Sequence, residues 1–161
     1  MQTLKGRQTV RGSVQAADII AAYQAAFNIP WWRLLLSTLA TALRVGGIFQ
    51  LADASYREMT DDEERRLYGF LEQDKTNLEY YVDGDFDCDD FGFRLHGALH
   101  IDLAFAAMPI FITWVSWETS EGTVGHAVLT YYKAGKIKYI EPQNDIIKPI
   151  PEDWQLNLLC G

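Results

Sequence analysis

Cysteine is scarce: two in 161 residues, Cys88 and Cys160. That density excludes a small disulfide-stapled scaffold, and no bridge between the two is expected. Basic residues are outnumbered, 14 Lys and Arg against 22 Asp and Glu, for a net charge of −8. No basic stripe exists to meet phosphates, so nucleic-acid binding is not expected. A long uncharged apolar run is missing as well. The most apolar stretch, residues 29–49, is broken by Pro30, Arg33, Arg44 and Gly46-Gly47, which makes a poor membrane span. No apolar run follows the basic residues near the N-terminus, so no signal peptide is expected. Internal repeats, low-complexity tracts and an evident linker are also lacking. These absences predict a soluble, cytoplasmic protein with one domain over residues 1–161. Hydrophobic content of 48% and aromatic content of 13% suffice for a packed core.

Read in order, the first half is helical. Residues 1–12 form an arm or an edge strand. Ser13 caps a helix over residues 14–27, with Ile19, Ile20, Tyr23 and Phe27 on one face. Pro30 suits the first turn of a second helix, from Trp31 to about Val45, ended by Gly46-Gly47. Its Trp31, Trp32, Leu35, Leu39 and Leu43 read as core, with an exposed Trp31–Trp32 partner or membrane surface as the alternative. Residues 50–59 read as irregular. Thr60-Asp61-Asp62-Glu63 is a capping box opening a helix to about Gln73. From Cys88 to about Ala107 the apolar spacing is again helical, and Pro109 stops it.

After Pro109 the period changes. Residues 110–117, 125–133 and 136–140 read as strands, with Ala134-Gly135 as a hairpin turn and 146–150 as a proline-limited edge strand. Helices first and antiparallel strands last predict an α+β fold, with residues 1–79 a helical lobe or appendage and 80–161 the core that carries the site.

Chemistry concentrates in Asp83-Gly84-Asp85-Phe86-Asp87-Cys88-Asp89-Asp90-Phe91, five carboxylates around one cysteine at a helix start. A helix N-terminus favours a thiolate, whereas neighbouring carboxylates oppose it. His126 opens one strand of the hairpin and Glu141 ends the other, so the turn should bring them together. A cysteine facing a carboxylate-oriented imidazole is the arrangement for acyl transfer. Taken singly, each has a plainer role: a core thiol, a hydrogen-bonded strand histidine, a solvated strand-end acid.

Cys88 at a helix start, Gly125-His126-Ala127 on a strand and Glu141-Pro142-Gln143 after a hairpin resemble the papain-like cysteine proteases. The pattern is most similar to the calcium-dependent protease domain of the Marasmius oreades agglutinin type, over residues 80–150 or so. The resemblance implies a papain-like fold with a catalytic triad of nucleophile Cys88, base His126 and orienting acid Glu141. No carbohydrate-binding repeats accompany it. The resemblance also gives the acids a role, because a bound hard cation reverses their local effect on the thiol. The expected cofactor is Ca²⁺ or Mn²⁺, with ligands drawn from Asp87, Asp89, Asp90, Gln143 and Asp145. The plainer alternative is that these acids cap the Cys88 helix and a turn.

Two other metal patterns are incomplete. An EF-hand starting at Asp83 fails, with Cys88 where glycine and Arg94 where glutamate is required. His96 and His100 share a helix face but lack the intervening glutamate of zinc proteases. Gln50, Asp53 and Gln73 are equal candidates for a further oxyanion donor. The expected function is a cation-activated cysteine peptidase or amidase acting on a polypeptide or amide. The alternatives are a transglutaminase-like acyltransferase or deamidase, or a non-catalytic cation-binding module. The oligomeric state is open.

Overall fold

The computed structural model describes residues 12–43, 46–102 and 104–161. In chain order the elements are β1 (Ser13–Gln15), α1 (Ala16–Ala26), α2 (Trp31–Ala42), β2 (Phe49–Gln50), β3 (Ser55–Arg57) and α3 (Asp61–Leu71). A 3-10 turn at Thr76–Leu78 leads to α4 (Cys88–Ile101). Five further strands follow: β4 (Ile110–Thr119), β5 (Gly122–Lys133), β6 (Lys136–Glu141), β7 (Ile146–Pro149) and β8 (Gln155–Cys160). The class is α+β, as the segregation of patterns predicts.

Six strands form one sheet in the order β2-β8-β4-β5-β6-β7, antiparallel except for the β2–β8 pair. Strand alternation sends its apolar side chains to two faces. One face, through Phe111, Val115, Ile137 and Leu156, packs against Ile19, Tyr23 and Phe27 of and after α1. The Tyr23 hydroxyl is hydrogen-bonded to Thr130, which in turn meets Thr113, so the buried hydroxyls satisfy one another. The other face, through Ile110, Leu129, Tyr131 and Ile140, packs against Leu67 and Leu71 of α3 and Leu95 and Leu99 of α4. Above this face Glu64 accepts hydrogen bonds from Tyr131, Lys133 and Lys138. These partners hold its carboxyl near a pKa of about 2 despite the opposing effect of burial.

The β5–β6 hairpin turns in two residues, Ala134 at φ 49° and Gly135 at φ 78°. Positive φ at both positions fits the turn whose twist matches its flanking strands. That turn fixes the register, pairing Lys133 with Lys136 and Leu129 with Ile140.

Several sequence expectations are corrected. Ser13 is no helix cap but pairs with Arg57 in a two-stranded ribbon, and Gln15 with Asp18 forms the capping box of α1. Residues 50–59 contribute strands on either side of a short loop. The helix expected to reach Ala107 ends at Ile101, because the Asp102 side chain accepts the Ala104 N–H and so turns the chain locally. Strand β8, absent from the sequence reading, lies inside the sheet between β2 and β4, so Cys160 is ordered against Ile112 and Gln50. On α2, Trp31, Trp32, Leu35, Leu39 and Leu43 are exposed rather than core. The expected arm at residues 1–12 lies, apart from Gly12, outside the described residues, as do Arg44 and Val45. No helix among the described residues is long and apolar enough to cross a membrane.

Candidate functional site

The site is built where the β5–β6 hairpin meets the start of α4. The hairpin register carries Glu141 to the level of Val128, so His126 is its diagonal neighbour on the same face. The His126 Nε2–H donates to Glu141 Oε2 at 2.7 Å, and both side chains are largely buried. Glu141 Oε1 also accepts the Gln143 N–H at 3.4 Å. With Nε2 so engaged, Nδ1 is the ring nitrogen left to meet a ligand.

Aromatic rings surround the pair. Trp117 on β4 and Trp154 in the turn before β8 stack at 5.6 Å with planes 15° apart. The His126 ring meets both edge to face, at 6.3 and 6.5 Å. Tyr139 closes on Trp154 at 4.8 Å. Trp117 and Trp154 are only half-buried. The sequence reading missed this group because its members lie on three strands and a turn, and Trp154 precedes a strand it did not foresee. The one available signal was β-strand alternation, which puts Trp117 on the same face as Val115, opposite His126.

Cys88 opens α4 with Asp87 as its N-cap. Asp87 accepts the Asp89 N–H at 3.4 Å, and Asp90 Oδ2 accepts the Asp87 N–H at 3.2 Å. Asp87 and Asp90 are thus engaged in capping. Asp87, Cys88 and Asp89 also place one ligand atom each within 4.8 Å of one another. Interaction between the two neighbouring carboxyl groups lowers the pKa of Asp87 and raises that of Asp89, as expected when close acids cannot both ionise freely. The Cys88 thiol is pushed up, first by burial and further by Asp87 and Asp89, with the Ala127 backbone pulling the other way. The hydrogen-bond partner of the imidazole is Glu141, and no hydrogen bond joins Cys88 to His126.

Asp145 sits elsewhere. At φ 58° it follows β6 and lines a cavity of 430 Å³ with Asp74, Asn77, Tyr68 and Leu71. Its Oδ1 and the Asn77 Oδ1 are buried without hydrogen-bond partners. Burial and then Asp74 push the Asp145 carboxyl up to about 6, with Asn77 pulling it back. Gln143, half-buried, lies beside Glu141. Of the expected cation ligands, then, the structure gathers Asp87 and Asp89 at the thiol, assigns Asp90 to the cap and sets Asp145 with Asn77. The His96 and His100 rings lie 4.0 Å apart with planes tilted by 33°, and each has one ring nitrogen engaged with a backbone carbonyl, of Ile110 and His96 respectively.

No protein-family model and no curated protein matches this sequence. The fold is similar to two solved structures. One is described as a PSL1a–E64 complex, with 18% identity and a TM-score of 0.61, covering 92% of this chain and 51% of that one. The other is Polyporus squamosus lectin bound to the human-type influenza-binding epitope Neu5Aca2-6Galb1-4GlcNAc, with 20% identity and a TM-score of 0.61, covering 92% of this chain and 49% of that one. The chain therefore spans about half the length of each. At these identities the likeness concerns the fold.

The expected kinship with papain-like cysteine proteases is overturned by this comparison, in which the second structure is a lectin bound to a glycan. The expected cysteine hydrolase falls with it, as do the acyltransferase and deamidase alternatives and the polypeptide substrate. The chemistry at Cys88 agrees, since a thiol raised by burial and flanking acids is a poor nucleophile at neutral pH. Iodoacetamide at pH 7.5 should alkylate Cys88 more slowly than free cysteine, and Asp87→Asn should narrow the gap. Peptide mass spectrometry over time measures both, and a Cys88 rate above that of free cysteine would reinstate an activated thiol.

Proposed function

We propose that this chain is a non-catalytic carbohydrate-binding domain, one folded unit, whose site is the surface formed by Trp117, Trp154, His126 and Glu141. The observation that carries the proposal is the Trp117–Trp154 stack, packed on the core yet partly open to solvent, beside a fixed His126–Glu141 pair. Saccharides present C–H faces that lie on aromatic rings and hydroxyls that need oriented acceptors. Here the tryptophans supply the first, and Glu141 with the free imidazole nitrogen supplies the second. A lectin of the same fold, bound to a glycan, supports the same direction.

Charge narrows the ligand. Glu141 puts a carboxylate in the site itself, on a chain of net charge −8, so a neutral saccharide is favoured over a carboxylate-bearing one. Isothermal titration with Galβ1-4GlcNAc and with its sialylated form should show binding to both, tighter for the neutral sugar. Glu141→Gln should weaken the neutral sugar about tenfold, the value of one charge-assisted hydrogen bond. Trp154→Phe, which keeps a ring in place, should weaken it less. Absence of heat with every saccharide tried, from a protein that melts cooperatively, would defeat the proposal.

A divalent cation, Ca²⁺ or Mn²⁺, belongs to the same proposal as a loop-holding ion. Its support is the pair of buried oxygens without partners, Asp145 Oδ1 and Asn77 Oδ1, in one cavity with Asp74. Mixed carboxylate and amide oxygens suit these ions. The sign of the pH dependence follows from a folded-state pKa raised to about 6. Without cation, the stability tied to protonated Asp145 is full below the unfolded value near ~4 and is lost as pH rises through about 6. Melting temperature should therefore fall across that window, recover with millimolar Ca²⁺, and stay level in Asp145→Asn with or without the ion. A wild-type melting temperature indifferent to both ions at pH 7.5 would remove the cation from the account.

A further inference from the structure

Helix α2 is amphipathic the wrong way round for a monomer. Its inward contacts are largely polar: Arg33 Nη2 donates to the Leu156 carbonyl at 3.2 Å, and Ser37, the helix's one buried residue, accepts the Ile48 N–H at 2.8 Å. Leu34 alone among its apolar residues packs on the core below. The outward face carries Trp31, Trp32, Leu35, Leu36, Leu39 and, just past the helix end, Leu43, each 50–71% exposed. A twelve-residue helix is marginal in water by itself and is held by burial of its apolar stripe. Here the stripe faces out.

We propose that this face is a two-fold interface with a second copy of the chain. Positions 31, 35, 39 and 43 form one ridge at spacing four, and 32 and 36 begin the adjacent one. Identical ridges interdigitate across a two-fold axis in the commonest helix–helix crossing, where the same patch serves both partners. The stripe presents roughly 700 Å² of apolar surface per chain, from the fractional exposures, close to the ~800 Å² per partner of a stable interface. It carries no charged side chain, so two acidic chains can meet there without setting like charges face to face. A lipid surface fits less well. Interfacial helices line their polar side with Lys and Arg, whereas the one basic residue among Trp31–Ala42 is Arg33, which is engaged with Leu156, and the net charge of −8 opposes anionic lipids.

Sedimentation velocity of the 161-residue chain tests this. Interfaces of this size bind with micromolar or tighter affinity, so the wild type should sediment at about twice the chain mass at ~100 µM, above that range. Leu35→Glu and Leu39→Glu stand on the solvent side of the helix and should give monomers with unchanged circular dichroism and a cooperative melt, lower only by the stabilisation that association gives the wild type. Tyr80→Ala, exposed but off this face, should leave the dimer intact. A monomeric wild type at the highest concentration, or a dimer indifferent to both glutamates, overturns the proposal. So does a monomer that co-sediments with phosphatidylcholine vesicles, which assigns the face to lipid.

Discussion

The hydrogen bond between His126 and Glu141 depends on a two-residue turn, and the candidate site depends on that bond. Ala134 and Gly135 take up positive φ, which sets the β5–β6 register and brings the two side chains diagonally together at 2.7 Å. One imidazole nitrogen is then committed, the ring plane is fixed, and Trp117 and Trp154 pack edge to face against it. A one-residue slip would send Glu141 to the opposite face and dissolve the group. Burial of both partners means that neither finds ready compensation from water.

The same pair serves more than one chemistry, which is why the residues alone pointed toward catalysis. A histidine held by a carboxylate near a helix-terminal cysteine suggests acyl transfer. The surroundings argue otherwise. Capping occupies Asp87 and Asp90, the neighbouring Asp87 and Asp89 carboxyls are pushed apart in pKa, and the thiol is raised by burial and by Asp87 and Asp89. With the thiol protonated, what remains is a fixed acceptor pair beside two stacked indoles, an arrangement suited to holding a hydroxylated ligand. The solved structures it resembles, matched over about half their length, establish the fold only.

Much of the local structure was legible. The Thr60 capping box, Pro30 at the head of α2, the start of α4 at Cys88 and the Ala134-Gly135 hairpin are short-range signals, set by capping and turn chemistry within a few residues. The failures are long-range. Periodicity showed that α2 has an apolar stripe, but not which way it faces, because anchoring by Arg33 and Ser37 depends on Leu156 and Ile48, distant in sequence. Strand β8 is six residues after a proline-containing turn, and its place inside the sheet comes from pairing with β4 more than thirty residues earlier. Without β8 the position of Trp154 is unknowable, and with it half of the aromatic surface. Asp145 was marked as a ligand, but its companions Asp74 and Asn77 belong to a segment whose approach only the fold reveals.

The central claim is that a saccharide rests on Trp117 and Trp154 and is hydrogen-bonded by His126 and Glu141. The most direct measurement is a proton–nitrogen NMR titration of the labelled chain with Galβ1-4GlcNAc, following the five indole N–H signals and the imidazole nitrogens. The account predicts saturable shifts at Trp117, Trp154 and His126, with Trp31 and Trp32 unmoved. Saturable shifts at other tryptophans with these three still, or no shifts at saturating sugar, would contradict it.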